Sequence, residues 1–217
     1  DNITQQSQDT FENPKVLAFD IEVYTPEKRY PVEEKDPIIM LGFSCSDGFK
    51  KVITWKRFKT NHDYIEFVDS EQDLILKFIE TIHKVNPDFL VGYFSDGFDL
   101  PYIRTRANKY GIKIKFNNAS LKVVRRGNNA TAKFKGLPHL DIFKFIRNIM
   151  SGSLRLDNYG LGRVSEELLK EKKLDMDTED ICIIWDQATS DLDKFCEYNL
   201  NDAELALKLF QKIFPNL

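Results

Sequence analysis

Five residues carry the chemistry that this sequence could perform. Asp20 and Glu22 stand two apart in Phe19-Asp20-Ile21-Glu22, near the end of an apolar run that reads as a strand. Residues two apart on a strand share a face, so the two carboxylates project side by side while Phe19 and Ile21 point away. Polar side chains on one face of a core-forming strand are a local conflict, and such conflicts concentrate at functional sites. Asp99 follows in Gly97-Phe98-Asp99-Leu100-Pro101-Tyr102, where a strand tip leads into a helix, the usual place for α/β active sites. Tyr198 and Asp202 stand four apart in a helical pattern, which puts phenol and carboxylate on one face. Leu205 and Leu209 continue that face inward, so Asp202 needs a partner, either a buried base or a cation.

Four acids converging without counter-charge would repel one another and raise their own pKa values. Oxygen-preferring divalent cations, Mg²⁺ or Mn²⁺, resolve that repulsion. Two such ions about 4 Å apart can activate water and stabilise the leaving oxygen of a phosphodiester.

The elements that must position these residues follow from hydrophobic period. Lys15 to Val23, Ile38 to Ser46 and Lys51 to Trp55 read as strands, the last two joined by an Asp47-Gly48 hairpin turn. Ser70 to Val85 places Leu74, Ile75, Phe78 and Ile82 on one helical face, capped by Ser70. A short buried strand, Phe89 to Gly92, precedes a helix from about Gly97 to Tyr110, with Ser95 or Asp96 as its cap. Residues 112–140 read as short strands in hairpins. Helical patterns span Asp141 to Met150, Leu156 to Leu169 and Ser190 to Phe214. The order gives an α/β domain with a mixed sheet. Residues 1–14 are polar and read as a linker or remnant, leaving 15–217 as the domain.

Charge is segregated. Thirteen of the 31 Lys and Arg lie between Ile103 and Arg155 with one acid, Asp141, so the rest of a chain of net charge −3 is acidic. A basic segment interleaved with aromatics suits a phosphate backbone. With 42% hydrophobic and 30% charged residues, the chain reads as a globular protein, and no apolar run nears the ~20 residues of a membrane span. Three cysteines in no metal-ligand spacing suit a reducing compartment. The expected location is intracellular, either nucleoid-associated in a cytoplasm or nuclear.

Taken in order, Phe19-Asp20-Ile21-Glu22, Gly97 to Ile103, and Tyr198 with Asp202 resemble the three exonuclease motifs of family-B DNA polymerases of archaeal type. These are DEDD 3′–5′ exonucleases of the subtype with a tyrosine in the third motif. The resemblance implies an RNase H-like fold with a mixed five-stranded sheet flanked by helices, and a β-hairpin insertion at 112–137. It implies that Asp20 bridges two metal ions, that Glu22 and Asp202 complete the tighter site, and that Asp99 serves the second ion through water. Tyr198 would hold the attacking water. Phe94, Phe98, Arg125, Arg126 and Lys133 are the expected nucleic-acid contacts, the substrate being a single-stranded or frayed DNA 3′ end. Lys173 approaches the scissile phosphate in some members, but Lys170, Lys172 and Lys173 together read as a solvated helix end. Phe94 departs from the family, which usually has Asn at that position. The palm and N-terminal domains of a parent polymerase are the implied partners, since nothing in the chain resembles a palm. A non-catalytic nucleic-acid-binding module and a stand-alone RNA or oligonucleotide exonuclease are the alternatives.

Overall fold

A computed structural model describes residues 13–26, 29–127, 129–176, 180–187 and 191–216. Residues 1–12 of the expected linker lie outside them, as does the start of the last helical pattern at Ser190.

Strand β1 (Val16–Val23) is central. Its partners are antiparallel β2 (Ile38–Cys45) and, further along the chain, parallel β5 (Phe89–Gly92). Strand β3 (Lys50–Thr54) pairs antiparallel with β2 across the Asp47-Gly48 turn, where Gly48 takes φ +91°. Strand β4 (Ile65–Phe67) lies parallel to β3. Among the described residues the sheet has six strands, not the five expected. The additional pairing is supplied by elements only three residues long, β4 and β10 (His139–Asp141), too short to show a period in sequence.

Helix α1 (Glu71–Val85) starts as expected, with Ser70 Oγ accepting the Asp73 amide at 3.2 Å. Helix α2 (Asp99–Lys109) begins two residues later than expected, with Phe98 at the cap position. Neither Ser95 nor Asp96 caps it through a side chain. The Asp96 carboxylate is engaged by the Ala132 amide at 2.6 Å and the Lys144 ammonium at 2.6 Å.

Between α2 and β10 the chain makes two small ribbons, β6 (Lys115–Phe116) with β7 (Ala119–Ser120), and β8 (Lys122–Arg126) with β9 (Asn129–Lys133). The Asp141 pattern is not one helix: Asp141 ends β10 and caps α3 (Ile142–Phe145), a π turn spans Ile146–Met150, and α4 is Ser151–Leu154. Arg155, in the left-handed region, stops it, so α5 (Leu161–Leu169) begins afresh after Gly160. Helix α6 (Asp180–Gln187) is absent from the sequence reading; it buries Ile181 and Trp185 against β2 and β3 residues. The long α7 (Asp191–Ile213) closes the domain.

Strand alternation divides the core. Leu17, Phe19 and Ile21 pack on one sheet face with α1 and α2 residues, while Val16 and Ala18 pack on the other with Leu205, Leu209 and Phe210 of α7. Continued by two, the second face becomes Asp20 and Glu22. Gly42, opposite Asp20 in the β1–β2 register, lets α7 approach: a Cβ there would lie 2.7 Å from Asn199 Oδ1 and 2.9 Å from its carbonyl oxygen.

Candidate active site

Where the polar end of β1 meets α7, one carboxylate oxygen each from Asp20, Glu22 and Asp202 lies within 4.8 Å of the others. Two are supplied by strand period and one by the helix that Gly42 admits. Asn199, one turn before Asp202, donates its Nδ2 to Asp20 Oδ2 at 2.9 Å and so fixes that carboxylate. Lys173 Nζ reaches Asp202 Oδ2 at 2.5 Å and lies 4.6 Å from the centroid of the Tyr198 ring. The other Asp202 oxygen, Oδ1, is buried with no hydrogen-bond partner among the described residues.

Asp99 stands behind this trio. It is buried at the start of α2, and its Oδ1 accepts the Ile21 amide at 3.2 Å, the main-chain link between Asp20 and Glu22.

The electrostatics are those of a charge cluster short of cations. Burial, then the Asp202, Asp99 and Glu22 charges, push Asp20 well above the ordinary carboxylate range. Burial and Asp202 bring Glu22 to about 8. Asp99 rises to about 7, through burial, against the lowering effect of its own and the Ile21 amide. Asp202 rises to about 6, since Lys173 offsets part of its burial. Burial and then the Glu22 and Asp202 charges push the Tyr198 phenol up. Burial disfavours the Lys173 ammonium, but Asp202 and Tyr198 outweigh it and raise its pKa.

The donor set is all oxygen and hard, which fits Mg²⁺ or Mn²⁺ better than softer metals. Three carboxylates this close, with an Asp202 oxygen buried and unpartnered among the described residues, are what such an ion would satisfy.

Residues 1–164 match the family model described as DNA polymerase family B, exonuclease domain. The chain belongs to this family. Among curated relatives of this exonuclease domain, a DNA polymerase of Pyrococcus glycovorans is 33% identical over 207 residues, covering 94% of this chain and 25% of that protein. A Thermococcus litoralis DNA polymerase is 31% identical over 210 residues, 94% of this chain and 12% of that protein. The domain thus spans a quarter or less of the curated relatives' length. The family-B DNA polymerase structure from Pyrobaculum calidifontis superposes with a TM-score of 0.74 at 24% identity, over 94% of this chain and 25% of that one. That likeness establishes a shared fold.

Within the exonuclease domain, the residues expected to touch nucleic acid are dispersed. Phe94 stands 48% exposed at the C-terminal end of β5, in the left-handed region at φ 60°. Its ring meets Phe143 edge-on at 5.2 Å and covers Gly97, where a Cβ would come 2.4 Å from it. A bulky side chain is uncommon at positive φ and costs roughly 1–2 kcal/mol there. Phe98 is half-buried against Tyr102, with ring centroids 5.2 Å apart. Lys133 is exposed on β9, and Arg125 on β8 is ion-paired with Glu33. The Arg126 side chain lies outside the described residues.

Lys173 corrects the sequence reading. It is no solvated helix end, because the chain after α5 turns back across α7 and delivers the ammonium to Asp202. Gly162 lets this segment pass, a Cβ there lying 3.3 Å from Lys173 Cβ. Asn199 was also missed. Its signal was adjacency: a polar residue beside Tyr198, on a helix whose neighbouring positions are buried. No helix among the described residues is long and apolar enough to cross a membrane.

Proposed function

We propose that this domain is a divalent-cation-dependent 3′–5′ exodeoxyribonuclease that removes nucleotides from a single-stranded or frayed DNA 3′ end. The observation that carries the reading is the meeting of Asp20, Glu22 and Asp202, one of which also has a buried carboxylate oxygen without a partner among the described residues. In this reading Asp20, Glu22 and Asp202, with Asp99, would hold two Mg²⁺ or Mn²⁺ ions, Asp20 serving both, Glu22 and Asp202 the tighter one and Asp99 the other. Such ions, when bound, neutralise charge at the phosphate and ease deprotonation of water.

The domain's own side chains do the rest. Tyr198 orients the attacking water through its hydroxyl, and the raised phenol pKa keeps that hydroxyl protonated. Lys173 lends positive charge beside the scissile phosphate, and Asn199 holds Asp20 in the orientation that faces Glu22. Phe94 and Phe98 meet the terminal nucleotides, while Arg125, Arg126 and Lys133 of the β8–β9 ribbon steer the phosphate backbone. Because the relatives are DNA polymerases several times longer, the role is proofreading beside palm and N-terminal polymerase domains, in a compartment that holds replicating DNA.

The test is incubation of 5′-labelled single-stranded DNA with the domain and Mg²⁺ or Mn²⁺. A ladder shortening from the 3′ end, lost in Asp20→Ala, is expected. No ladder, or one undiminished in Asp20→Ala, contradicts the reading. Parallel RNA of the same sequence separates deoxyribonuclease from ribonuclease activity.

A further inference from the structure

A second cluster of buried polar groups lies outside the acid site and is used by no step above. Asp96 accepts the Ala132 amide of β9 on Oδ1 at 2.6 Å and the Lys144 ammonium on Oδ2 at 2.6 Å. His139 Nδ1 stands 3.5 Å from the same Oδ1, and its Nε2 bonds Ser95 Oγ at 2.9 Å. Lys144 also donates to the Ala130 carbonyl and, at 3.2 Å, to Thr131 Oγ1, both on β9. Asp141 completes the set, accepting the amides of Phe94 and Asp96 at 3.0 Å each and that of Lys144 at 3.2 Å.

This wiring has two ends. One end is the β8–β9 ribbon, whose strand β9 gives the cluster an amide, a carbonyl and a hydroxyl. The other is the Tyr93 to Phe98 loop, which presents Phe94 and leads directly into Asp99. The loop holds a strained shape, with the Phe94 ring packed over Gly97 on a left-handed backbone, and the Phe94 and Asp96 amides are tied to Asp141. A ribbon that moves takes three bonds from Asp96 and Lys144, leaving a buried carboxylate short of partners, a state that strongly favours rearrangement of its loop.

We propose that the Asp96–Lys144 pair is a latch coupling the position of the β8–β9 ribbon to the loop that presents Phe94 and Asp99. Both are positioning residues, acting through that loop; the consequence for hydrolysis rests on the exonuclease reading above. Engagement of the ribbon by DNA thereby sets the geometry of the site that receives the 3′ end.

Two measurements on the whole chain test the latch. Amide hydrogen exchange at Phe94 and Asp96 reads the loop without any need for activity. Exchange at both amides should quicken in Lys144→Met, and likewise when residues 123–131 are replaced by a two-glycine turn. Lys144→Arg should restore protection. On single-stranded DNA, where no strand separation is needed, Lys144→Met should lower kcat about tenfold with little change in KM. The ribbon replacement, which also removes Arg125 and Arg126, should lower kcat by about the same factor and raise KM as well. The combined variant should be no worse than either alone, as coupled sites require. Thr131→Val, which removes only the part-buried bond from Lys144, gives a smaller effect in the same direction and serves if Lys144→Met fails to fold. Unchanged exchange in an active enzyme, or kcat losses that multiply in the combined variant, overturn the latch. A wild-type chain that leaves DNA intact, while the variants still show the exchange effects, overturns the exonuclease reading and leaves the latch standing.

Discussion

Two acid sites, one buried and one part-buried, lie on opposite faces of the same sheet, and they differ in how completely they are satisfied. On the α1 face, Glu71 accepts the Ile38 amide at 2.7 Å, Arg106 Nε and Nη2 at 2.7 and 2.6 Å, and the Tyr110 hydroxyl at 2.6 Å. Both of its oxygens are used, and its charge is matched by one guanidinium. On the α7 face, Asp20, Glu22 and Asp202 share one ammonium, from Lys173, and an Asp202 oxygen has no partner among the described residues. A saturated buried charge fixes α1, α2 and the start of β2 together. An unsaturated cluster gives the fold nothing comparable and stores repulsion that a cation would relieve.

Substitution separates the two most sharply. Asp202→Asn should cut hydrolysis of single-stranded DNA by about 10³-fold or more, because a ligand is lost, while the metal-free melting temperature holds or rises. Arg106→Met should do the reverse, costing roughly 3–5 kcal/mol of stability by stranding Glu71 yet leaving cation binding intact in the folded fraction. Denaturant melts and initial rates on both variants check the pair. If Asp202→Asn unfolds the chain while Arg106→Met spares it, the contrast is wrong.

Tyr198→Phe is a milder probe of the unsaturated side. Removing a positioning hydroxyl should lower the rate by about 10²-fold or less, short of the Asp202→Asn effect. A loss as deep as that of Asp202→Asn would assign Tyr198 a larger role than orienting water.

The smallest expected effect is in pH. Burial and Asp202 raise Glu22 to about 8, so between pH 6.5 and 8 the folded chain holds a proton there that the unfolded chain has released, and Asp20 is raised in the same sense. Stability therefore falls as pH rises through this window, by about 1 kcal/mol or somewhat more given solvent screening. His139, pushed down to about 4 by burial, is neutral in both states for nearly all of it and does not confuse the sign. Thermal melts in EDTA should show the fall, and Mn²⁺ should abolish it. A melting temperature that climbs with pH in EDTA breaks the account of the cluster.

The same contrast explains what could be read from the chain. Asp20 and Glu22 were legible because a strand has period two and the apolar residues beside them declare which face is which. Asp202 was legible through four-residue spacing on a helix. Lys173 and Asn199 were not, because their roles depend on where the loop after α5 runs and how closely α7 rides over Gly42. Glu71 and Arg106, 35 residues apart, carry no local pattern at all. Asp96 illustrates how a local rule gives way: an acid just before a helix is ordinarily a cap, but here a tertiary amide and an ammonium claimed it. Three-residue strands such as β4 lie below what periodicity can resolve.

The central claim is that the α7-face acids are unsatisfied because they are cation ligands. Calorimetric titration of the metal-free domain with Mn²⁺, in buffers of different ionisation enthalpy, tests it most directly. The account predicts binding at two sites, with proton release that grows as pH falls from 8 toward 6, and loss of the tighter site in Glu22→Gln and Asp202→Asn. Absence of binding at millimolar Mn²⁺, or binding that both substitutions leave unchanged, would contradict it.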